Sequence, residues 1–303
     1  MSKLPVKINL LLRNDQKSSI EPVFKNLSYI TNNFEFIEGE NPDFVMFFNY
    51  RKECPVKNVI RIFWAQEYIS IKREAYDWCL GFEHNEDRYN NYLRFPTYVR
   101  YCHSESLIKG EEYNVEKILE SKKKFCAFVY YNTRPTIRTN FFKELSKYKS
   151  VDAPGKSCNN IQPTIKGKSI AQSRFDANWD QQLIDFLKPY KFVISFSNTE
   201  LIGGTDEKIV LAMRANTIPI YWGNPLIYHD FNPRSFINTY SYKHSPKGSM
   251  QAAIDKVISL DKNDNEYLKM LKEPWYNGNV PNYYIDPKNI LDFFTRMFTS
   301  VKT

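Results

Sequence analysis

The chain has 303 residues, with 42 Lys+Arg against 34 Asp+Glu for a net charge of +8, 25% charged residues and 42% hydrophobic ones. That balance supplies a buried core for about two domains, and 10 Gly with 16 Pro exclude a collagen-like or low-complexity protein. The unusual feature is the aromatic content: 22 Phe, 21 Tyr and 5 Trp.

The N-terminal apolar stretch is broken by Lys7 and Asn9 and is followed by no small-residue cleavage site, so no signal peptide is expected. No apolar run approaches the ~20 residues that span a bilayer. Short apolar, β-branched and aromatic runs predict strands over 6–12, 44–48, 59–64 and 78–82. Glu67 follows the third of these, on the side where open α/β sheets place ligands. Glu83 and His84 follow the fourth, in a polar loop. Residues 104–124 are polar, with one helix expected over 115–121.

A second series starts with a strand over 125–131 and a helix headed by Arg138 that runs through Phe141, Phe142 and Leu145. A short strand over 150–152 and an irregular basic insertion over 156–176 follow. The series continues with helix 181–187, strand 192–196, helix 206–215 and strand 218–222. Three helices at 249–260, 266–272 and 287–297 close the chain, each with apolar residues at three- and four-residue spacing. Strands alternating with helices predict an α/β protein of parallel sheets. Two Rossmann-like domains, 1–118 and 119–303 with a helical tail, are the simplest division, and a ligand is expected in the cleft they face.

Five cysteines, Cys54, Cys79, Cys102, Cys126 and Cys158, are widely spaced and form no CxxC, so reduced core thiols in a reducing compartment are expected rather than zinc ligands. The basic residues come in twos and threes diluted by acids, without a helix-turn-helix or ribonucleoprotein pattern. An anionic small molecule therefore fits the charge better than a nucleic acid.

The stretch from Lys191 to Gly223 carries the most chemistry: strand, polar loop, the pair Gly203-Gly204, helix, strand. The glycines permit close backbone approach to a ligand, and Thr205 or Asp206 caps the helix that follows. A helix start presents unpaired N–H groups and a positive dipole end to an anion. Lys208 adds a full charge suited to phosphate, and Glu207 an acceptor suited to sugar hydroxyls. Alternatively, Asp206-Glu207-Lys208 is a helix start with a solvated face. Neither a Walker loop nor a dinucleotide glycine fingerprint is present.

At these residues the sequence resembles the α-1,3/4-fucosyltransferases, glycosyltransferase family 10, in their bacterial form. The resemblance is carried by Phe196-Ser197-Asn198-Thr199, Gly204-Thr205-Asp206-Glu207-Lys208, Ile218 through Gly223 and Asp230 through Asn238. Phe125 through Val129, Arg138 through Phe142, and Val151-Asp152 with Gly155 and Cys158 extend it upstream. More loosely, Arg61 through Glu67 is similar to the family's strand ending in a catalytic glutamate. This chain departs from the pattern at Ser197, where the family has Glu, at Gly204, where it has Tyr, and at Asp206, where it has Thr.

The resemblance implies a GT-B type fold and inverting transfer of L-fucose from GDP-fucose to a glycan hydroxyl, α-1,3 to GlcNAc or Glc. By the same resemblance Glu67 is the general base, and Glu207 stabilises the transition state or binds donor hydroxyls. Arg138 and Lys208 neutralise the GDP leaving group, while Asn198 and Gly204 complete the donor site. Glu83 and His84 are candidates on the acceptor side. No metal is obligatory, there being no Asp-x-Asp in the chain, and a divalent cation is at most stimulatory. The implied partners are a nucleotide sugar and an oligosaccharide or lipid-linked glycan, in the cytoplasm or peripherally at the membrane's inner face. The departures keep open a different nucleotide sugar on the same fold, or a non-catalytic protein binding sugar nucleotides or polyanions.

Overall fold

The computed structural model describes residues 2–11, 17–24, 26–48, 57–65, 75–84, 90–162, 164–165, 168–169 and 178–300. It divides into two compact units: Met1–Arg100 with Ile202–Gly204 and Tyr283–Thr303, and Tyr101–Leu201 with Thr205–Asn282.

The first unit is built on β1 (Leu4–Leu11), β2 (Lys17–Ser18), β3 (Phe34–Ile37), β4 (Phe44–Phe47), β5 (Ile60–Trp64), β6 (Trp78–Gly81) and β7 (Tyr92–Arg94). Their sheet runs β2-β1-β4-β5-β6-β7, with β3 also paired to β1. Every pairing is parallel except β1 with β2. All four residues of β4, Phe-Val-Met-Phe, are buried. A parallel strand covered on both faces requires that kind of continuous apolar run. Two single-turn helices, α1 (Glu21–Phe24) and α2 (Ser28–Thr31), lie between β2 and β3 in the chain.

Two features differ from the expected division at 118. The C-terminal helix Pro287–Phe298 packs on the first unit rather than on the second. It buries Ile290, Phe293, Phe294, Met297 and Phe298, and its rings meet Phe24 (5.6 Å), Phe34 (5.1 Å) and Phe44 (5.5 Å) edge to face. An apolar stripe at helical spacing identifies the buried face of a helix but not the sheet it covers. The boundary also falls at Arg100, because segment 101–123 is bound to the second unit. There Lys109 Nζ donates to Leu271 O (2.5 Å) and Glu273 O (2.6 Å). Lys122 Nζ donates to Lys188 O (2.6 Å) and Ala215 O (3.0 Å).

The second unit contains α3 (Val115–Ser121), β8 (Lys124–Ala127), α4 (Thr136–Ser146) and β9 (Val151–Asp152). An antiparallel pair of two-residue strands, β10 (Thr164–Ile165) with β11 (Lys168–Ser169), lies within the basic insertion. Then come α5 (Trp179–Leu187), β12 (Tyr190–Phe196), α6 (Glu207–Arg214), β13 (Ile218–Trp222), β14 (Ile237–Asn238), α7 (Ser249–Lys262) and α8 (Asp264–Lys272). The strands form an entirely parallel sheet in the order β14-β13-β12-β8-β9. β8 is shorter than the expected 125–131, its ladder ending at Ala127. α6 buries Ile209 through Met213, and it stops where Asn216 takes the left-handed conformation, φ 51°, in the manner of a helix terminator.

The α/β class and two parallel-sheet, Rossmann-like units are those expected. Among the described residues no helix is long and apolar enough to cross a membrane.

Candidate active site in the second unit

A cavity of about 450 Å³ opens in the second unit, within the range of ligand pockets. Its walls come from loops just beyond the carboxyl ends of β8 (Val129–Asn132), β9 (Gly155) and β12 (Asn198), together with α4, α5 and the start of α6. That is the edge at which doubly wound sheets bind ligands, because successive βα loops converge there.

Arg138 is the anchor of the polar end. It is fully buried near the start of α4, with its guanidinium 4.1 Å from the Tyr130 ring centroid. Its Nη1 donates to Asn198 Oδ1 (2.6 Å) and its Nη2 to the carbonyl of Asn132. Its Nε is buried without a hydrogen-bond partner. Burial pulls its pKa below the usual guanidinium value, and the nearby Tyr130 and Asp206 side chains oppose that shift. Tyr130 in turn is fixed through its hydroxyl, which lies 2.8 Å from Ile194 O and 2.9 Å from Phe196 O and accepts from Phe196 N at 2.6 Å.

The start of α6 supplies the second cation. Asp206 is the N-cap, its Oδ1 accepting from Lys208 N (3.3 Å) while Oδ2 accepts from Lys208 Nζ (2.9 Å). Glu207 Oε1 accepts from the same ammonium at 3.3 Å. Burial pulls the Lys208 pKa down, but the two carboxylates outweigh it and hold the ammonium well above its ordinary value. Asp206 therefore caps the helix and steers Lys208. Thr205, the other candidate cap, donates instead to Asp230 Oδ2 (2.5 Å), and Asn224 Nδ2 donates to its hydroxyl at 3.0 Å.

Of the residues singled out in the sequence, the cavity brings together Arg138, Asn198, Glu207 and Lys208. Gly204 does not line it. It belongs with Ile202 and Gly203 to the first unit, where buried Arg94 donates to Gly203 O (2.7 Å) and Phe82 O (3.1 Å). Gly203 has φ 80°, and a Cβ there would lie 1.8 Å from Phe82 O, so only glycine fits. Glu83 and His84 are also in the first unit and do not line this cavity. The Tyr92 hydroxyl is bonded to the Glu83 backbone (2.8 Å to N), and His84 Nδ1 lies 3.2 Å from Tyr284 Oη. Glu67 lies outside the described residues. Ser197 is fully buried and its Oγ has no hydrogen-bond partner.

Sequence reasoning missed Tyr130, Asn132, Tyr101 and Trp179, all of which line the cavity. The one available signal was Gly155, where a Cβ would sit 2.1 Å from Tyr130 O. Among the described residues, no group of three or more His, Cys, Asp or Glu side chains is placed to hold a metal ion.

Arg138, Lys208 and a capped helix start thus stand together at the strand ends of a Rossmann-like unit, the groups that phosphorylated ligands commonly meet. Family comparison is specific on the point. The profile described as "Glycosyltransferase family 10 (fucosyltransferase) C-term" matches residues 119–278, and "Alpha-(1,3)-fucosyltransferase FucT N-terminal domain" matches residues 16–101. The chain belongs to glycosyltransferase family 10.

It is 30% identical over 278 residues to the Helicobacter pylori protein named alpha-(1,3)-fucosyltransferase FucT, covering 80% of this chain and 54% of that one. It is 27% identical over 241 residues to the Xenopus laevis protein named GDP-fucose protein O-fucosyltransferase 3, covering 70% of this chain and 48% of that one. The chain thus spans about half the length of these two relatives. A crystal structure of an alpha1,3-fucosyltransferase with GDP-fucose superposes with a TM-score of 0.75 at 26% identity, covering 100% of this chain and 93% of the other.

Proposed function

We propose that the chain is an inverting fucosyltransferase that moves L-fucose from GDP-fucose to a hydroxyl of a glycan acceptor. The observation that carries the proposal is the convergence of Arg138, Lys208, Asn198 and Glu207 on one cavity within the region matched to family 10. As the bond from fucose C1 to the β-phosphate oxygen breaks, negative charge accumulates on the diphosphate. Arg138 and Lys208, fixed before the donor arrives, neutralise that charge without reorganising. Asn198, whose Oδ1 is taken by Arg138, offers its amide N–H groups to donor hydroxyls. Glu207 places a carboxylate near the oxocarbenium-like centre or on the donor's hydroxyls.

Glu67 is assigned as the general base that takes the acceptor proton as the acceptor oxygen attacks C1 on the face opposite GDP. The first unit then serves the acceptor, an oligosaccharide or lipid-linked glycan with α-1,3 linkage to GlcNAc or Glc, and Glu83 and His84 are acceptor-side candidates. Transfer takes place in the cytoplasm, with peripheral membrane contact where the acceptor is lipid-linked. No step requires a metal ion, and a divalent cation is expected to stimulate at most.

The test is a panel of nucleotide sugars incubated with a mixture of glycans, read as nucleotide release. GDP release from GDP-fucose that depends on glycan supports the assignment. Turnover of UDP-sugars but not GDP-fucose refutes the donor, and no turnover of any donor refutes the enzyme.

A further inference from the structure

Glu207 and Lys208 line the cavity from the first turn of α6, so their positions follow that of the helix head. A buried polar network holds this head in place. Thr205, the residue before the N-cap Asp206, donates its hydroxyl to Asp230 Oδ2 at 2.5 Å, and Asn224 Nδ2 donates to the same hydroxyl at 3.0 Å. Asn224 Nδ2 also lies 3.4 Å from Asp230 Oδ2, which closes a triangle. Thr205, Asn224 and Asp230 are each at most 1% exposed. Ile202–Gly204, just upstream, belong to the first unit, so Thr205 is where the chain rejoins the second.

The anchor is itself fixed. Asn224 N donates to Tyr221 Oη (2.8 Å) near the end of β13, and Asn224 Oδ1 accepts from Leu226 N (3.0 Å). Asp230 N donates to Ile227 O (3.0 Å), and Asp230 O accepts from Asn282 Nδ2 (2.7 Å). From β12, Ser195 Oγ donates to Lys208 O at 3.3 Å. None of Ser195, Thr205, Asn224 and Asp230 lines the cavity. A buried polar network whose hydrogen bonds are made favours one arrangement of its members.

We propose that Asp230, acting through Thr205, is a positioning residue for transfer: it sets where the head of α6 places the Lys208 ammonium and the Glu207 carboxylate. This rests on the reading of the cavity as the donor site. Lys208 Nζ is held 2.9 Å from Asp206 Oδ2 and 3.3 Å from Glu207 Oε1, so a backbone shift at 205–207 carries the ammonium with it. A cation stabilises a leaving group without reorganising only if it already stands in place. A misplacement of about 1 Å costs on the order of 100-fold in rate.

Thr205→Val keeps the shape of the side chain and removes its hydroxyl. It is expected to weaken GDP binding about tenfold and to lower kcat/KM for transfer from GDP-fucose about 10- to 100-fold, read by isothermal titration and steady-state kinetics. Thr205→Ser restores both. In a Lys208→Met background, Thr205→Val changes GDP affinity by less than about twofold, because the cation it positions is gone. Thr205→Ala takes the place of Thr205→Val, with the same readings, if the latter does not fold. A lowered unfolding temperature with wild-type GDP affinity and kinetics overturns the proposal, because the network then only stabilises the fold. An undiminished loss in the Lys208→Met background overturns it by placing the action elsewhere. Asp230→Asn is expected to fall between wild type and Thr205→Val, and wild-type readings in that variant remove Asp230 from the role. Wild type that does not bind GDP defeats the donor reading itself; wild type that binds GDP beside an unaffected Thr205→Val defeats the positioning alone.

Discussion

Replacing Arg138 by methionine separates its role in folding from its role in binding. The side chain is fully buried, and the groups in direct contact with it are neutral: Asn198 Oδ1 at 2.6 Å, the Asn132 carbonyl and the face of Tyr130 at 4.1 Å. Taking a cation out of water costs several kcal/mol. Against this stand a desolvated cation–π contact of about 2 kcal/mol and two charge-assisted hydrogen bonds of about 1.5–3 kcal/mol each. The opposing sums nearly cancel, and methionine fills much of the same volume. Arg138→Met is therefore expected to leave stability within about 1–2 kcal/mol of wild type. The diphosphate, in contrast, loses a charge-assisted contact of about 2–3 kcal/mol, roughly 30- to 150-fold in Kd. Thermal unfolding without ligand and isothermal titration with GDP measure the two separately. A variant that unfolds many degrees earlier yet binds GDP with wild-type affinity refutes the reasoning, because Arg138 would then be a structural cation.

Glu67→Gln is expected to lower kcat by about 10²- to 10⁴-fold while leaving the Kd for GDP nearly unchanged; steady-state kinetics beside titration checks it, and full activity moves the base elsewhere. Gly155→Ala forces a Cβ to within 2.1 Å of Tyr130 O, so the loop carrying Tyr130 must move, and both stability (by about 1–3 kcal/mol) and GDP affinity should fall together. Lys122 is buried, and desolvation pulls its pKa down to about 7. Between pH 7 and its unfolded value the unfolded chain binds more protons than the folded one, so this lysine makes stability rise with pH, by up to about 1 kcal/mol per unit. Urea unfolding at several pH values should show that slope in wild type and its reduction in Lys122→Met; an identical slope in both is the contrary result.

The sequence made the regular elements legible wherever strands were long and apolar. β4 and β5 read directly as parallel core strands. β3 and β7 did not, because Phe-Glu-Phe-Ile exposes alternate residues and β7 is a three-residue strand ending in buried Arg94. A charged residue reads as surface unless its partners, here the carbonyls of Phe82 and Gly203, are known. The grouping of Arg138, Asn198, Glu207 and Lys208 was legible through their spaced motifs, and the strand order β13-β12-β8 accounts for how residues seventy positions apart reach one cavity. Its aromatic members were hidden by abundance. With 21 Tyr and 5 Trp in the chain, nothing distinguishes Tyr130, Tyr101 or Trp179 until the fold places them on the cavity wall. Asp206 is a departure from the family pattern that places a second carboxylate beside Glu207. The structure gives it a capping role and Lys208 as its counter-ion.

Product analysis distinguishes transfer of fucose from GDP-fucose to a glycan hydroxyl from every other outcome. With GDP-fucose as the sole donor, mass spectrometry and NMR of the acceptor should show one fucose added for each GDP released, with inverted configuration at C1. GDP released without fucosylated product, or product of retained configuration, would contradict the account.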